Sequence, residues 1–454
     1  MRHALEEAHG GIYRYTSKAE MDRDFDQTYR KIDHPMTDLE FWRLAAPVVA
    51  DIRCGHTYIW FPKTVATEMW TTLPRFPLVT CISDGRLYGY QDLTRPGSSL
   101  EGAELLSINN TPVKKLLEKF RALVNGDGNS ATAKDYRITH NGNFATFLYA
   151  FGIESPFQVT YRDKEGRQRK ATLNGMLNPE MNKVWDARNA DLANAPNAEL
   201  KFLNGGKIAV MTIRHWYRYA DEARKITFSD FLKTSFTQIH DEGTSNLVID
   251  VRNDSGGLDF PVVELFGYLV DQPFHDYRDI VCNDCDFDFL KYDPEDAKSL
   301  PGDILKGTIK GADGKFHVLK QTGLGPQQPL QPYYAGRVFA LMNGGSFSSS
   351  TEFLTLLHYY RRARFIGQEP AGAYYGYTCG RMVTLTLPNS KLELTFGLLT
   401  FYMDVSGYTY PDRGVLPDYP VTYTVDDVLA GRDKDMEMAL SLARANQDSA
   451  SRQR

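Results

Sequence analysis

Apolar residues over the first 54 positions recur at helical spacing. In TDLEFWRLAAPVVADI, Phe41, Leu44, Ala45 and Val48 share one face of a 3.6-residue repeat, and SKAEMDRDFDQTYRKI before it is also helical. Thr37 with Glu40 three residues on makes a capping box, which predicts the start of the second helix. From about residue 77 to 175 the texture changes to short alternating strands. These are PLVTCISDGRLYGY, then GAELLSINN with a helix from Pro112, then FQVTYRDKEGRQRKATL, a hairpin turned at DKEG. ARNADLANAPNAE reads as a linker. Beyond it KIAVMTI, NLVIDVR, RVFALM and RFIGQ alternate with helical segments, which argues for an α/β core with a largely parallel sheet. VDDVLAGRDKDMEMALSLARANQ predicts one amphipathic helix with a frayed SASRQR end. The pattern divides the chain into an N-terminal helical region (1–75), a β-rich module (76–186), an α/β core (187–424) and a C-terminal helix and tail (425–454).

Length and charge narrow the function classes. A chain of 454 residues holds two or three domains, and 42% hydrophobic with 24% charged residues suffices for ordinary cores. A net charge of -5 argues against a nucleic-acid partner, because phosphate binding needs a concentrated basic surface. No stretch approaches the roughly 18 apolar residues that span a bilayer. The start, MRHALEEAHGG, has no apolar h-region, so a signal peptide is expected to be absent or already removed. Five cysteines are too few for a disulfide framework. Cys282 and Cys285 form a lone CxxC with no second ligand pair nearby, so a local disulfide or plain thiols are expected there, not a metal.

Two loops at the carboxyl ends of core strands carry candidate chemistry. VIDVRNDSGG ends in Gly256 and Gly257, whose small size lets backbone N–H groups face a ligand. NGGSFSSSTEF places four serines and a threonine where RVFALM ends and a helix begins. Such hydroxyls cap orphan helical N–H groups; one of them could also be a nucleophile, held where helix-start amides stabilise an oxyanion. Asp250 and Arg252 read as a structural pair holding the first loop.

The module's ELLSINNTPV segment resembles the "GD.IL.ING..V" segment of PDZ domains, and modules of that kind hold peptide ends by strand addition. VIDVRNDSGG is similar to the "DLRgNpGG" signature of the S41 peptidases, the carboxy-terminal-processing and tricorn-like serine proteases. NGGSFSSSTEF with ARFIGQEPAGA is similar to that family's "SASASE...a.lvGe.t.G", and GVLPDYPV to its "GV.PDi.V" ending. The resemblance implies a ClpP/crotonase-like α/β core with an N-terminal helical region and a PDZ-like module. It further implies hydrolysis of protein or peptide substrates through an acyl-enzyme without a cofactor, and a periplasmic or cell-surface location.

Aligning SSTE on the family's SASE places the nucleophile at Ser349 and the oxyanion donors at the backbone N–H groups of Gly256 and Ser350. Ser346 and Ser348 are then caps or supports. The lysine base of the carboxy-terminal-processing branch is missing between Ser349 and Gly380, so the base must be a histidine. His56, in RCGHTYI, resembles the family's "DGHt" segment, and His215, in MTIRHWY, is the alternative. The acid that orients the imidazole is expected at Asp412, with Asp418 as alternative, while Glu352 is read as complementing the helix dipole. A non-catalytic binder of small hydrophobic ligands or peptides and acyl-CoA chemistry are the competing readings.

Overall fold

The computed structural model describes residues 1–140 and 142–451. Its centre is a six-stranded sheet. In spatial order the strands are Tyr419–Pro420, Ala363–Gly367, Arg337–Met342, Asn246–Asp250, Ile208–Ile213 and Ala198–Leu203. All neighbours are parallel except the last pair. Asn246–Asp250 is buried throughout, as an unbroken apolar run must be when both sheet faces are covered. Leu247 and Ile249 face a cluster with the helices Phe228–Asp241, Asp259–Gly267 and Ser349–Tyr359. Val248 points to the other face, where it joins Phe339, Leu341 and Ile366 under Ala439 and Ala443 of the C-terminal helix. Asp250 pairs in register with Leu341, so the two candidate loops leave the sheet side by side.

A second sheet, built on the long antiparallel pair Gly376–Thr386 and Glu393–Met403, also takes in Tyr58–Trp60 from the N-terminal region. That pairing carries the preceding turn, which contains His56, to the core. The N-terminal helices Lys18–Arg30 and Asp38–Ala50 both begin with complete capping boxes, Ser17 with Glu20 and Thr37 with Glu40. In the second of them Trp42 is 1% exposed and donates from Nε1 to the Ile59 carbonyl at 2.9 Å, tying helix to strand.

The module is a five-strand antiparallel run from Leu78–Ser83 to Gln168–Leu173, with Leu78–Ser83 at its end. Asn109 and Asn110 both adopt left-handed φ, 44° and 63°, which suits a tight two-residue hairpin between Glu104–Ile108 and Thr111–Pro112. The predicted linker is instead ordered: Asn178–Arg188 and Ala190–Ala193 are helical, and the core's antiparallel strand starts at Ala198. The C-terminal segment is two helices, Val425–Leu429 and Lys434–Ser451, because Gly431 turns the chain at φ 61° after a Thr424–Asp427 capping box. The last three residues of the expected frayed end lie outside the described residues. No helix among the described residues is long and apolar enough to cross a membrane. All five cysteines are free thiols, Cys282 and Cys285 included.

Candidate active site

The two strand-end loops are stitched together by side chains that serve as surrogate backbone. Ser346 Oγ donates to the Val251 carbonyl at 2.7 Å, and Asn343 Oδ1 accepts from the Asn253 amide at 2.9 Å. Asp254, 0% exposed, is the hub: its carbonyl takes the Phe347 amide, Oδ1 takes the Gly256 amide at 2.9 Å, and Oδ2 takes Ser350 Oγ at 2.7 Å. Ser350 Oγ in turn accepts from Trp216 Nε1 at 2.8 Å. Burial pushes the Asp254 carboxyl up to about 7, against the opposing pull of Ser350 and the Gly256 N–H.

Stitching of this density fixes a strained residue at the mouth of the helix. Ser348, the N-cap of Ser349–Tyr359, has φ 55° and ψ -122°. An L-residue held there costs of order 1–3 kcal/mol and persists only where its surroundings over-determine it. A sharp strand-to-helix turn of this kind thrusts a serine side chain out of the backbone, the logic of a nucleophile elbow. Gly256 makes room for it: at φ 99°, a Cβ there would lie 2.6 Å from Ser348 Cβ and 3.0 Å from the Ser349 amide nitrogen.

His56 arrives from the turn before Tyr58–Trp60. Its segment is clamped by Asn125, whose Nδ2 donates to the Cys54 carbonyl at 3.2 Å, and by Arg137, whose Nη1 donates to the Gly55 carbonyl at 3.3 Å. The ring lies against Phe347 and Tyr377, with centroids 4.5 and 5.7 Å away. His56 Nε2 sits 3.2 Å from Ser348 Oγ. Burial, and then the Arg137 cation, pushes the imidazole down to about 3, so it is neutral at pH 7 and able to accept a proton.

Behind the ring stands Asp127, 2% exposed, with Oδ1 accepting the Gly55 amide at 2.7 Å. A carboxylate oxygen of Asp127, a ring nitrogen of His56 and Cys54 Sγ lie within 4.8 Å of one another. Burial raises the Asp127 carboxyl to about 6, while the Gly55 N–H, Arg137 and Arg14 pull the other way, so it is charged at neutral pH.

Each residue expected from the sequence has a defined place in the structure. Ser349 is 0% exposed, and its Oγ is buried without a hydrogen-bond partner, because the helical turn begun at Ser348 directs residue 349 inward. The hydroxyl facing His56 belongs to Ser348. The Ser350 amide donates to the Phe347 carbonyl at 3.1 Å and the Gly256 amide to Asp254, so both expected oxyanion donors are engaged within the loops. The Ser349 amide, first in the helix, has no intrahelical acceptor by geometry. Asp412 bonds through its carboxylate to Asn129 Nδ2, and its carbonyl accepts the Asn129 amide at 2.8 Å. It therefore braces the loop that carries Asp127 and does not pair with the imidazole. Glu352 is buried under Tyr277 and Tyr377, and burial with the Asp276 and Asp259 charges raises its carboxyl well above the usual range. Glu352 does lie in the first turn of the helix Ser349–Tyr359.

The alternatives also find places. His215 stacks on Tyr217 and lies 3.9 Å from Asp254 Oδ1. Asp418 accepts the Phe365 amide at 2.8 Å, a strand-edge role. Asp250 and Arg252 do pair, at 2.6 Å, and Arg252 extends the network to Asp433 and Asp435. Asp127 is the residue the sequence reading missed: it stands alone in NGDGN, between two helices, with only its flanking glycines as a signal.

A strained serine at a helix mouth thus faces a neutral histidine on an α/β scaffold. Residues 206–421 match the family model described as Peptidase family S41. Among solved structures the chain is similar to mature CPAF, with a TM-score of 0.64 at 14% identity over 97% of this chain and 94% of that one. It is likewise similar to mature CPAF complexed with lactacystin, at TM-score 0.61 and 14% identity over 98% and 96%. At these identities the likeness is one of fold. No curated protein matches the chain by sequence.

Proposed function

We propose that this protein is a serine endopeptidase in which Ser348 attacks the scissile carbonyl, His56 shuttles the proton and the nearby Asp127 charge supports the imidazolium. The observation that carries this reading is the 3.2 Å approach of His56 Nε2 to the hydroxyl of a serine at φ 55°. Ser348 Oγ bonds to the carbonyl carbon as its proton passes to Nε2. The oxyanion forms at the start of the helix Ser349–Tyr359, where the Ser349 amide and the positive end of the dipole favour negative charge. Collapse returns the proton from Nε2 to the leaving amine, and water then repeats the sequence on the acyl-enzyme. Asp127, ionised at neutral pH, stabilises the imidazolium that forms in between.

The module serves this reaction as a PDZ-like peptide holder. Its end strand Leu78–Ser83 lines a cavity of about 940 Å³ together with residues of the helix Ala131–Thr139, and the wall continues into Asn253, Asn343 and Gly344 of the two site loops. Neither Ser348 nor His56 is part of that wall. The cavity is therefore read as a holding site for an extended segment and not as the place of bond cleavage. The substrates are proteins or peptides, met in the periplasm or at a cell surface.

Digestion of an unfolded protein such as reduced casein tests the reading. Ser348→Ala is expected to lower kcat/KM by about 10⁵–10⁶-fold, as loss of a triad serine does elsewhere. Equal turnover by wild type and Ser348→Ala, or no turnover by either, would favour a passive binder or acyl-CoA chemistry.

A further inference from the structure

Cys54, His56 and Asp127 bring one thiol, one imidazole and one carboxylate within 4.8 Å of one another. Cys54 is 4% exposed and Asp127 2%. Asp127 Oδ1 is occupied by the Gly55 amide, whereas Oδ2 is buried with no hydrogen-bond partner. His56 Nε2 is occupied by Ser348, whereas Nδ1 is also buried with no partner. The thiol donates to the Thr378 carbonyl at 3.3 Å. The three residues whose donor atoms cluster thus include two with an orphaned buried atom and one with a thiol.

Sulfur, imidazole nitrogen and carboxylate oxygen together are the donor set of zinc. Zn²⁺ holds such atoms at about 2.0–2.3 Å, so donors on one tetrahedral ion stand about 3.3–3.7 Å apart, and small side-chain rotations close the trio onto it. A thiolate and a carboxylate also balance the charge of a dication. Arg14 and Arg137 act on Asp127 and oppose any cation there, while the thiolate donor favours zinc over the hard cations Mg²⁺ and Ca²⁺.

We infer that Cys54, His56 and Asp127 form an inhibitory zinc site, in which the ion and the working triad compete for the same two atoms. On binding, Cys54 loses its proton to solvent and Sγ bonds to zinc, while His56 Nδ1 and Asp127 Oδ2 donate their lone pairs. The one proton left on the imidazole then sits on Nε2, pointing at Ser348 Oγ. Nε2 has become a hydrogen-bond donor and cannot take the serine proton. Because a thiol proton is released, zinc binds more tightly as pH rises. The inhibition rests on His56 being the base; the binding does not.

The test uses the full chain, stripped of metal and titrated with Co²⁺ and then Zn²⁺, and it reads two signals. The first is the near-ultraviolet thiolate-to-cobalt charge-transfer band, which is independent of activity. The second is the rate of active-site labelling by a fluorophosphonate. In wild type and in Ser348→Ala the band is expected to appear and to vanish on zinc addition. In Cys54→Ser, and in Cys54→Ala as a second variant should the first not fold, the band is expected to be lost. Labelling is expected to be stopped by zinc in wild type and to persist under zinc in the Cys54 variants. The exposed trio His3, Glu7 and Asp288 contains no thiol and contributes nothing to the band. Absence of the band in wild type, or zinc inhibition undiminished in folded Cys54 variants, would overturn the inference. Failure to label even without zinc, with the band present, would instead count against the catalytic reading alone.

Discussion

Ser348 and Ser349 differ by one position and by everything that matters for chemistry. One is strained at φ 55° and faces a histidine; the other is buried with an unpartnered hydroxyl. A run of four serines around one phenylalanine gives the sequence no means of choosing between them, since side-chain type is constant and only the backbone angle varies. Asp127 was hidden for a related reason: its relation to His56 exists in space and not in spacing. Its protonation sets an expected pH dependence. With the carboxyl raised to about 6, the charged form that supports the imidazolium is present above that value and is lost as pH falls through it, so kcat/KM should drop below about pH 6. The limb belongs to the Asp127–His56 pair, and a pH–rate profile measures it. Asp127→Asn is expected to lower kcat by about 10⁴-fold and to abolish the limb. A profile unchanged by that substitution would remove Asp127 from the site.

At the scale of elements, the core was legible because its strands are buried on both faces and read as unbroken apolar runs, such as NLVIDVR and RVFALM. The capping box at Thr37 and the Asn109–Asn110 hairpin were legible for local reasons of the same kind. The 187–199 stretch was not: its polar composition suits a linker, yet Ala190–Ala193 is helical and the core strand already begins at Ala198. Gly256 is the element-level counterpart of Ser348, because the approach of the two loops depends on a missing Cβ. Gly256→Ala is expected to retain the fold and to lower kcat by about 10²–10³-fold, the scale of one lost oxyanion donor, since the new methyl displaces Ser348 and the Ser349 amide together. Far-ultraviolet circular dichroism and casein turnover, measured side by side, check both halves of that statement.

Over the whole molecule, the site is an assembly of distant parts. His56 and Ser348 are separated by 292 positions and meet because Tyr58–Trp60 adds to the second sheet while Trp42 pins the preceding helix to Ile59. The family match covers 206–421 and so contains Ser348 and its loops but not His56. The fold was foreseeable from alternation of strands and helices, whereas the closure of the N-terminal region onto the core was visible only through the GHT context of His56. In the proposed mechanism, residues 54–57 and the Asp127 loop complete a centre that the core alone lacks. The most direct measurement is the position of the covalent adduct left by a fluorophosphonate, mapped by tandem mass spectrometry of a digest. The account predicts modification at Ser348, lost in Ser348→Ala and in His56→Ala and kept in Ser349→Ala; an adduct on Ser349, or one that survives removal of His56 at an unchanged rate, would contradict it.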